Sequence, residues 1–154
     1  IEKTVAVSKT GDVAKSVQKI ADKLGHAETA VEGTLKHSKA EKLLREQGLK
    51  GVYTEVSIKG GEVVQRGAAG STRLDVIHSL QDLSKPGTKV DPLQVLGVYD
   101  YKFGKSGITS AEKIAIKRAT GQDVKVIQSS SSGGGSGGGR IFSKIKSFFT
   151  KKKK

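Results

Sequence analysis

Apolar residues recur at helical spacing near the start of the chain. From Asp12 to Leu24 they form one stripe, in which side chains three or four residues apart lie on the same face of a helix: Val13, Val17, Ile20 and Leu24. Asp12 is suited to cap the start of such a helix and Gly25 to end it. The pattern therefore predicts a helix over residues 12–24.

A second helix is predicted over Lys39–Gln47, where Ala40, Leu43 and Leu44 form the apolar side. Ser38 and Glu41 have the spacing of a capping box, in which each side chain bonds to the backbone N–H of the other residue. The stretch His26–Lys36 also has helical character, but its Gly and Thr residues have low helix propensity and leave its structure open.

From Val52 onward the apolar period changes to alternation, which is typical of strands. A basic helix is predicted between the fourth and the last of these strands. It begins with a capping box at Thr109–Glu112, extends to about Ala119 and is ended by Gly121. A helix before the last strand indicates a crossover, so the predicted fold is an α/β domain whose mixed sheet is covered by helices on both faces. The predicted strands are Val52–Ile58, Val63–Gln65, Arg73–Ser79, Gln94–Phe103 and Val124–Ile127.

The end of the chain has a different composition. Residues 129–139 contain only Ser and Gly, as in a flexible linker. Residues 140–154 form a basic amphipathic tail, because Lys and Arg surround one apolar helical face made of Ile141, Phe142, Ile145, Phe148 and Phe149. A native segment and an engineered appendage both fit this pattern, since fusion linkers have the same composition.

Charge and composition narrow the range of partners. The 154 residues include 28 Lys and Arg against 15 Asp and Glu, a formal net charge of +13, which favours anionic partners. The chain has no Cys and only three His, so disulfides and thiol nucleophiles are excluded and a structural zinc site is not expected. No apolar run is long enough to cross a bilayer, and the first residues do not resemble a signal peptide. Because the chain begins at Ile1 and lacks Met, we expect a product of processing or a piece of a longer polypeptide.

Two charged residues interrupt the longest predicted strand. Asp100 and Lys102 are two residues apart, so their side chains point to the same side. Charges in such a strand are costly unless they are paired or functional. One interpretation is a salt bridge alone. The other includes Asp75 on the strand before: if these strands are neighbours, the three side chains converge, and two close carboxylates favour a divalent cation such as Mg²⁺.

The spacing of these three residues resembles the PD-(D/E)XK nuclease pattern, although Leu74 and not Pro precedes the first acid. The segments Arg66–Asp75 and Val98–Gly104 also resemble C-terminal toxin domains of bacterial polymorphic effectors. The resemblance covers residues 38–128 and implies a restriction-endonuclease-like core with the order αβββαβ. The implied organisation is an N-terminal helical segment at 1–37, a nuclease core at 38–128, a linker at 129–139 and a tail at 140–154.

The resemblance implies roles for individual residues. Asp75 and Asp100 would bind Mg²⁺ or Mn²⁺, with the Tyr101 backbone carbonyl as a third ligand and Lys102 as the catalytic lysine.

The family often adds a Glu from the first core helix. Glu41 is the candidate for this ligand and catalytic position, and its place in the capping box is an equal alternative. Glu55 is the reserve candidate, and a solvated position on an outer face is the favoured interpretation for it.

Basic side chains near the predicted site are candidates for phosphate contacts. They are Arg73 and, on the helix after the acidic pair, Lys113, Lys117 and Arg118, for which a solvated helix face is the alternative. His78 is expected to be packed or on the surface, because alternation places it on the opposite face from Asp75. His37 is a weaker candidate for the site.

These observations favour a metal-dependent DNase that serves as the toxin module of a larger effector in interbacterial competition. The resemblance implies delivery into the cytoplasm of a target bacterial cell and a cognate immunity protein. Two alternatives stay open: an RNase of the same fold, and a non-catalytic basic module that binds nucleic acid or an anionic membrane through its tail. With only three Tyr and four Phe, the chain is better suited to gripping a duplex backbone than to stacking splayed bases.

Overall fold

The protein is described by a computed structural model over residues 7–104 and 107–129. The predicted tail, and the predicted linker after Ser129, lie outside the described residues. A short 3₁₀ turn at Pro92–Gln94 leads into the fourth strand. The helices and strands are α1 (Thr10–Leu24), α2 (Ala30–Glu46), β1 (Val52–Lys59), β2 (Glu62–Val64), β3 (Thr72–Ser79), β4 (Val95–Tyr101), α3 (Ser110–Thr120) and β5 (Lys125–Ile127).

Helix α1 buries the predicted apolar stripe, with Val13 and Val17 fully buried. It begins at Thr10, so the prediction of Asp12 as its N-cap is wrong: Lys9 holds that position without a side-chain bond, and Asp12 lies in the first turn. There its negative charge still favours the helix dipole. Gly25 ends the helix as predicted, with a φ of 74°.

Helix α2 is one continuous helix that begins at Ala30 rather than at Lys39. Its N-cap is Thr29, whose side chain accepts a hydrogen bond from the Glu32 N–H. The predicted capping box of Ser38 and Glu41 is therefore wrong, because both residues lie inside the helix and no free N–H groups exist there to cap. The predicted boundary between residues 37 and 38 likewise falls within α2.

The strands form a mixed five-stranded sheet with the order β2-β1-β3-β4-β5. Strands β4 and β5 are parallel and are joined through α3, and the other neighbouring pairs are antiparallel. The prediction of a mixed sheet with a helical crossover before the last strand is confirmed. Strand β4 begins one residue later than predicted, because Pro92 and the Asp91 side chain, which accepts from the Leu93 N–H, form the 3₁₀ turn before it. It ends at Tyr101 and not at Phe103.

Helices cover both faces of the sheet, and each face has its own apolar cluster. Val76 and Ile77 are successive residues of β3, so their side chains point to opposite faces. Val76 packs in a cluster with residues of α1 and α2, whereas Ile77 packs in a cluster with Ile116 of α3. The first cluster also contains Val13, Val17, Ala40, Leu44, Tyr99, Tyr101 and Phe103, and the second contains Val56, Ile58, Leu74 and Val98.

Helix α3 is fixed at both ends. Thr109 and Glu112 form the predicted capping box, each side chain bonding to the other's backbone N–H. At the other end Gly121 is left-handed with a φ of 76°, and a Cβ atom there would lie 2.7 Å from Cβ of Pro92. The end of α3 is thereby held against the turn that leads into β4.

We predict that Gly121→Ala destabilises the fold by about 1–2 kcal/mol or more, because a left-handed conformation is costly for any residue with a Cβ and this Cβ would overlap Pro92. Urea unfolding followed by circular dichroism measures the change. Gly11→Ala is the matched control: this glycine lies in α1, and a Cβ atom added to it would have no neighbour within 4 Å, so alanine should be neutral or stabilising. Equal effects of the two substitutions would contradict the account of Gly121.

Candidate active site

The candidate site lies where β3 and β4 separate. Their backbone pairing stops at Val76 opposite Tyr99. Two residues further along β4, the Tyr101 N–H donates to Oδ2 of Asp75 at 2.8 Å instead of to a backbone carbonyl. The Asp75 side chain is almost fully buried, with 9% of its surface exposed. This carboxylate therefore replaces a bond of the sheet at the fork between the two strands.

Asp100 and Lys102 lie beside Asp75, as the sequence predicts. Nζ of Lys102 is 3.2 Å from Oδ2 of Asp100, and both side chains are mostly buried. Lys102 follows the last residue of β4, but its backbone N–H donates to the Ile127 carbonyl of β5 at 3.0 Å. The parallel strand thus fixes the backbone from which the lysine extends.

The two carboxyl groups interact directly and shift each other's protonation. Burial and the negative charge of Asp75 raise the pKa of Asp100 to about 7, although Lys102 acts in the opposite direction. Burial alone would raise the pKa of Asp75 as well, but hydrogen bonds to His37 and Asp100 outweigh it and hold that pKa below its usual value. The pair therefore behaves as two carboxylates held too close for both to ionise freely.

His37 belongs to the site, although the sequence pattern favours it less than the other candidates. Its Nε2 atom lies 2.9 Å from the Tyr101 carbonyl and 3.5 Å from Oδ2 of Asp75, and its Nδ1 atom lies 2.9 Å from the Gly33 carbonyl. Both ring nitrogens face acceptors, which favours the doubly protonated imidazolium. The hydrogen bond to Asp75 raises the pKa of His37 to about 9, against the opposing effect of burial.

A signal for His37 exists in the sequence. His37, Ala40 and Leu44 have the spacing of one helical stripe, and Ala40 and Leu44 are buried in α2. A helix predicted to begin only at Lys39 leaves His37 outside this stripe and hides the signal.

Glu41 is not brought to the acidic pair. Its Oε2 atom accepts from Arg45 at 2.9 Å and from the Thr54 hydroxyl at 3.2 Å, and its Oε1 atom lies 3.9 Å from Arg66. The structure thus places the candidate helical ligand in an ion-pair network on the β1 side of the fork.

Glu55 does not lie on a solvated outer face, so that interpretation is wrong. Only 10% of its side chain is exposed, and its Oε1 atom lies 3.2 Å from Arg66 and 3.4 Å from Arg73. Burial raises the pKa of Glu55, as do the charges of Asp75 and Glu41, while the two arginines lower it.

The backbone explains why Glu55 is buried. Within the described residues it is the one non-glycine residue with a positive φ, at 53°. The register of β1 and β3 places it opposite Asp75, between the pairs Thr54–Val76 and Val56–Leu74. Val56 and Tyr53 pack in the same apolar cluster although they are three residues apart, so the alternation of β1 is interrupted here. At this irregularity the Glu55 carboxylate contacts Arg66 and Arg73.

The site opens into a cleft of about 530 Å³. Asp75, Asp100, Lys102, His37 and Arg73 line it together with residues of α3 and of the segments before β3 and α3: Ala111, Glu112, Ala115, Ile116, Ile108, Ser71 and Thr72.

The other candidate phosphate contacts lie outside this cleft. Lys113, Lys117 and Arg118 are exposed on α3 and are not part of its lining. Lys117 is 3.6 Å from Asp123. The structure therefore brings Arg73 to the acidic pair, but not the basic residues of α3.

His78 and the two tyrosines that flank Asp100 belong to the packing of the domain. His78 is fully buried, and burial lowers its pKa, consistent with a packed imidazole. Tyr99 and Tyr101 are buried in the cluster beneath α1 and α2, away from Asp100 and Lys102.

No protein-family model, no curated protein and no solved structure matches the chain. Over residues 7–104 and 107–129, no helix combines the length and the apolar character needed to cross a membrane.

We predict that His37 titrates near pH 9 in the protein without added metal, and that Asp75→Asn lowers this pKa, because the bond to the Asp75 carboxylate is the largest effect that raises it and burial would then be opposed only by the Gly33 and Tyr101 carbonyls. Since folding raises this pKa from 6.5, the stability that His37 contributes is complete below pH 6.5 and is lost as the pH rises through about 9. Proton–nitrogen correlation spectra of the imidazoles measure both values. His78, whose pKa is shifted downwards, is the internal reference, and a His37 that titrates at or below its ordinary pKa in the unmodified chain would contradict the contact.

Proposed function

We propose that this chain is a metal-dependent nuclease that hydrolyses phosphodiester bonds. The observation that carries the proposal is the convergence of Asp75, Asp100 and Lys102 on one cleft, at the fork between β3 and β4. A purely structural ion pair would need only Asp100 and Lys102. A second, buried carboxylate beside the first adds repulsion, which the bonds of Asp75 to the Tyr101 N–H and to His37 offset only in part, since the pKa of Asp100 stays raised to about 7. A cation or a substrate group in the cleft would offset the rest.

The donor set fits Mg²⁺ or Mn²⁺ better than zinc. Among the described residues, no three His, Cys, Asp or Glu side chains form the cluster that a site such as structural zinc requires. The Tyr101 carbonyl, the third predicted donor, already faces Nε2 of His37 at 2.9 Å. Asp75 and Asp100 would therefore hold the ion, and Mg²⁺ is typically held by one or two carboxylates with water completing its shell. When bound, such an ion polarises the phosphoryl group and acidifies a water molecule.

The residues of the chain supply the other requirements of phosphodiester cleavage. The Lys102 ammonium group lines the cleft, where it can donate to a phosphate oxygen and offset the negative charge that develops in the transition state. Arg73 at the rim can hold a neighbouring phosphate. The imidazolium of His37 orients Asp75 and neutralises part of its charge.

The cleft favours duplex DNA over RNA as the substrate. Among the described residues that line it there is no Tyr or Phe side chain, and enzymes that read single-stranded RNA commonly stack bases on such rings. The proposal extends to the finer fold and to the biological role: α2, β1, β3, β4, α3 and β5 would form the restriction-endonuclease-like αβββαβ core, with β2 as an addition. The chain would then be a delivered toxin domain with its own immunity protein.

We predict that Asp100→Asn and Lys102→Ala each reduce Mg²⁺-dependent plasmid cleavage by at least about 100-fold, which is the typical effect of losing one group that stabilises a transition state. Gel assays of plasmid and transfer RNA, with Mg²⁺ and with EDTA, measure the activity and identify the substrate class.

The matched controls are Asp12→Asn and Lys15→Ala, which change exposed residues of α1 in the same way and should retain full activity. Cleavage that survives both site substitutions would remove the catalytic assignment. If transfer RNA is cleaved preferentially, the function is that of an RNase and not a DNase. If neither substrate is cleaved, the alternative of a non-catalytic basic module replaces the nuclease.

A further inference from the structure

Five charged side chains next to the cleft form one continuous chain of alternating sign. Arg45 contacts Glu41, Glu41 contacts Arg66, Arg66 contacts Glu55, and Glu55 contacts Arg73, at nitrogen–oxygen distances of 2.9, 3.9, 3.2 and 3.4 Å. We call the three arginines of this chain the arginine row. It joins residues from α2, from β3 and from the loop after β2.

The two signs of charge are distributed unequally between interior and solvent. The side chains of Glu41 and Glu55 are 14% and 10% exposed, whereas those of Arg45, Arg66 and Arg73 are 64%, 61% and 55% exposed. The glutamates are therefore buried supports, and the guanidinium groups are the surface that a partner meets.

The three arginines carry more positive charge than is needed to neutralise the two glutamates. Three positive charges face two negative ones, and each contact uses a single nitrogen of its guanidinium, Nη2 in Arg45 and Arg66 and Nε in Arg73. A guanidinium has five N–H donors and matches two oxygens of a phosphate at once. Arg66 and Arg73 both approach the same Glu55 oxygen, so one carboxylate sets the positions of two phosphate-binding groups.

The row leads away from the catalytic cleft in a defined direction. Arg73 lines the cleft with Asp75, while Arg66, Glu55 and Arg45 line an adjoining groove of about 380 Å³ on the β1 side. A polymer with a phosphate in the cleft can therefore continue past Arg73 and Arg66 to Arg45.

We propose that the arginine row binds successive backbone phosphates of the nucleic acid and guides it into the cleft, so that the substrate extends over β1 and the end of α2 rather than along α3. This inference rests on the proposed nuclease function and adds to it the path of the substrate. Glu41 and Glu55 are positioning residues in this arrangement, and their place in the network explains why neither lies among the residues that line the cleft.

The test measures how the affinity of the intact chain for a fluorescent DNA duplex depends on salt, in EDTA, where the duplex stays intact. Each phosphate contact contributes about 0.9 to the slope of log affinity against log salt concentration. We expect Arg45→Ala and Arg66→Ala each to lower the slope by about that amount. Lys15→Ala, which removes the same charge from an exposed position on α1, should leave the slope unchanged. A merely structural role for the network would move the melting temperature but not the slope.

Arg45→Ala keeps the test decisive if the Arg66 variant fails to fold, because Arg45 contacts Glu41 alone in this network and the Thr54 hydroxyl still bonds to that carboxylate. Unchanged slopes for the folded variants, or a decrease that occurs with Arg118→Ala instead, would overturn the proposed path. If the wild-type chain cleaves DNA but the slopes of the variants are unchanged, only the proposed path is refuted. A wild-type chain that cleaves no nucleic acid refutes the nuclease itself.

Discussion

The hydrogen bond from the Tyr101 N–H to the Asp75 carboxylate controls the geometry of the whole site. It takes the place of a backbone bond at the point where the pairing of β3 and β4 ends. Placing a carboxylate in so buried a position costs several kcal/mol unless partners compensate for the lost water. The Tyr101 N–H and the His37 imidazole are these partners, and both come from the elements that enclose the fork.

Charged side chains lie on two sides of this fork, and each side has both acids and cations. Towards α2 and β4, the acids meet His37 and Lys102; towards β1, Glu55 opposite Asp75 meets two arginines. Each buried carboxylate thus has a cationic neighbour, yet Asp75 and Asp100 stay close enough for the pKa of Asp100 to reach about 7. The repulsion between these two carboxyl groups is therefore compensated only in part.

Local sequence signals were sufficient for much of this arrangement. Alternation located β1 and β3, the Thr109–Glu112 capping box located α3, and the two-residue spacing of Asp100 and Lys102 placed both on one side of the strand. The convergence with Asp75 required only that β3 and β4 be neighbours, which is the usual relation of consecutive strands.

The features that sequence did not predict depend on contacts between distant residues. The first turns of α2 contain Gly33 and Thr34, which disfavour a helix on their own, but burial of Ala40 and Leu44 further along stabilises the whole element. The left-handed backbone of Glu55 has no local signal either, since it is compensated by pairing with arginines that only the sheet register brings near.

The short parallel strand β5 has a mechanical consequence. Its Ile127 carbonyl accepts the Lys102 N–H, and the Gln128 carbonyl next to it accepts from the Gln18 side chain of α1. Tension applied to the chain beyond Ser129 would therefore reach the lysine's anchor through just two peptide groups. A label, surface tether or fused domain attached on that side would act on the candidate site, whereas the same attachment at the β1–β2 hairpin would leave the support of Lys102 unchanged.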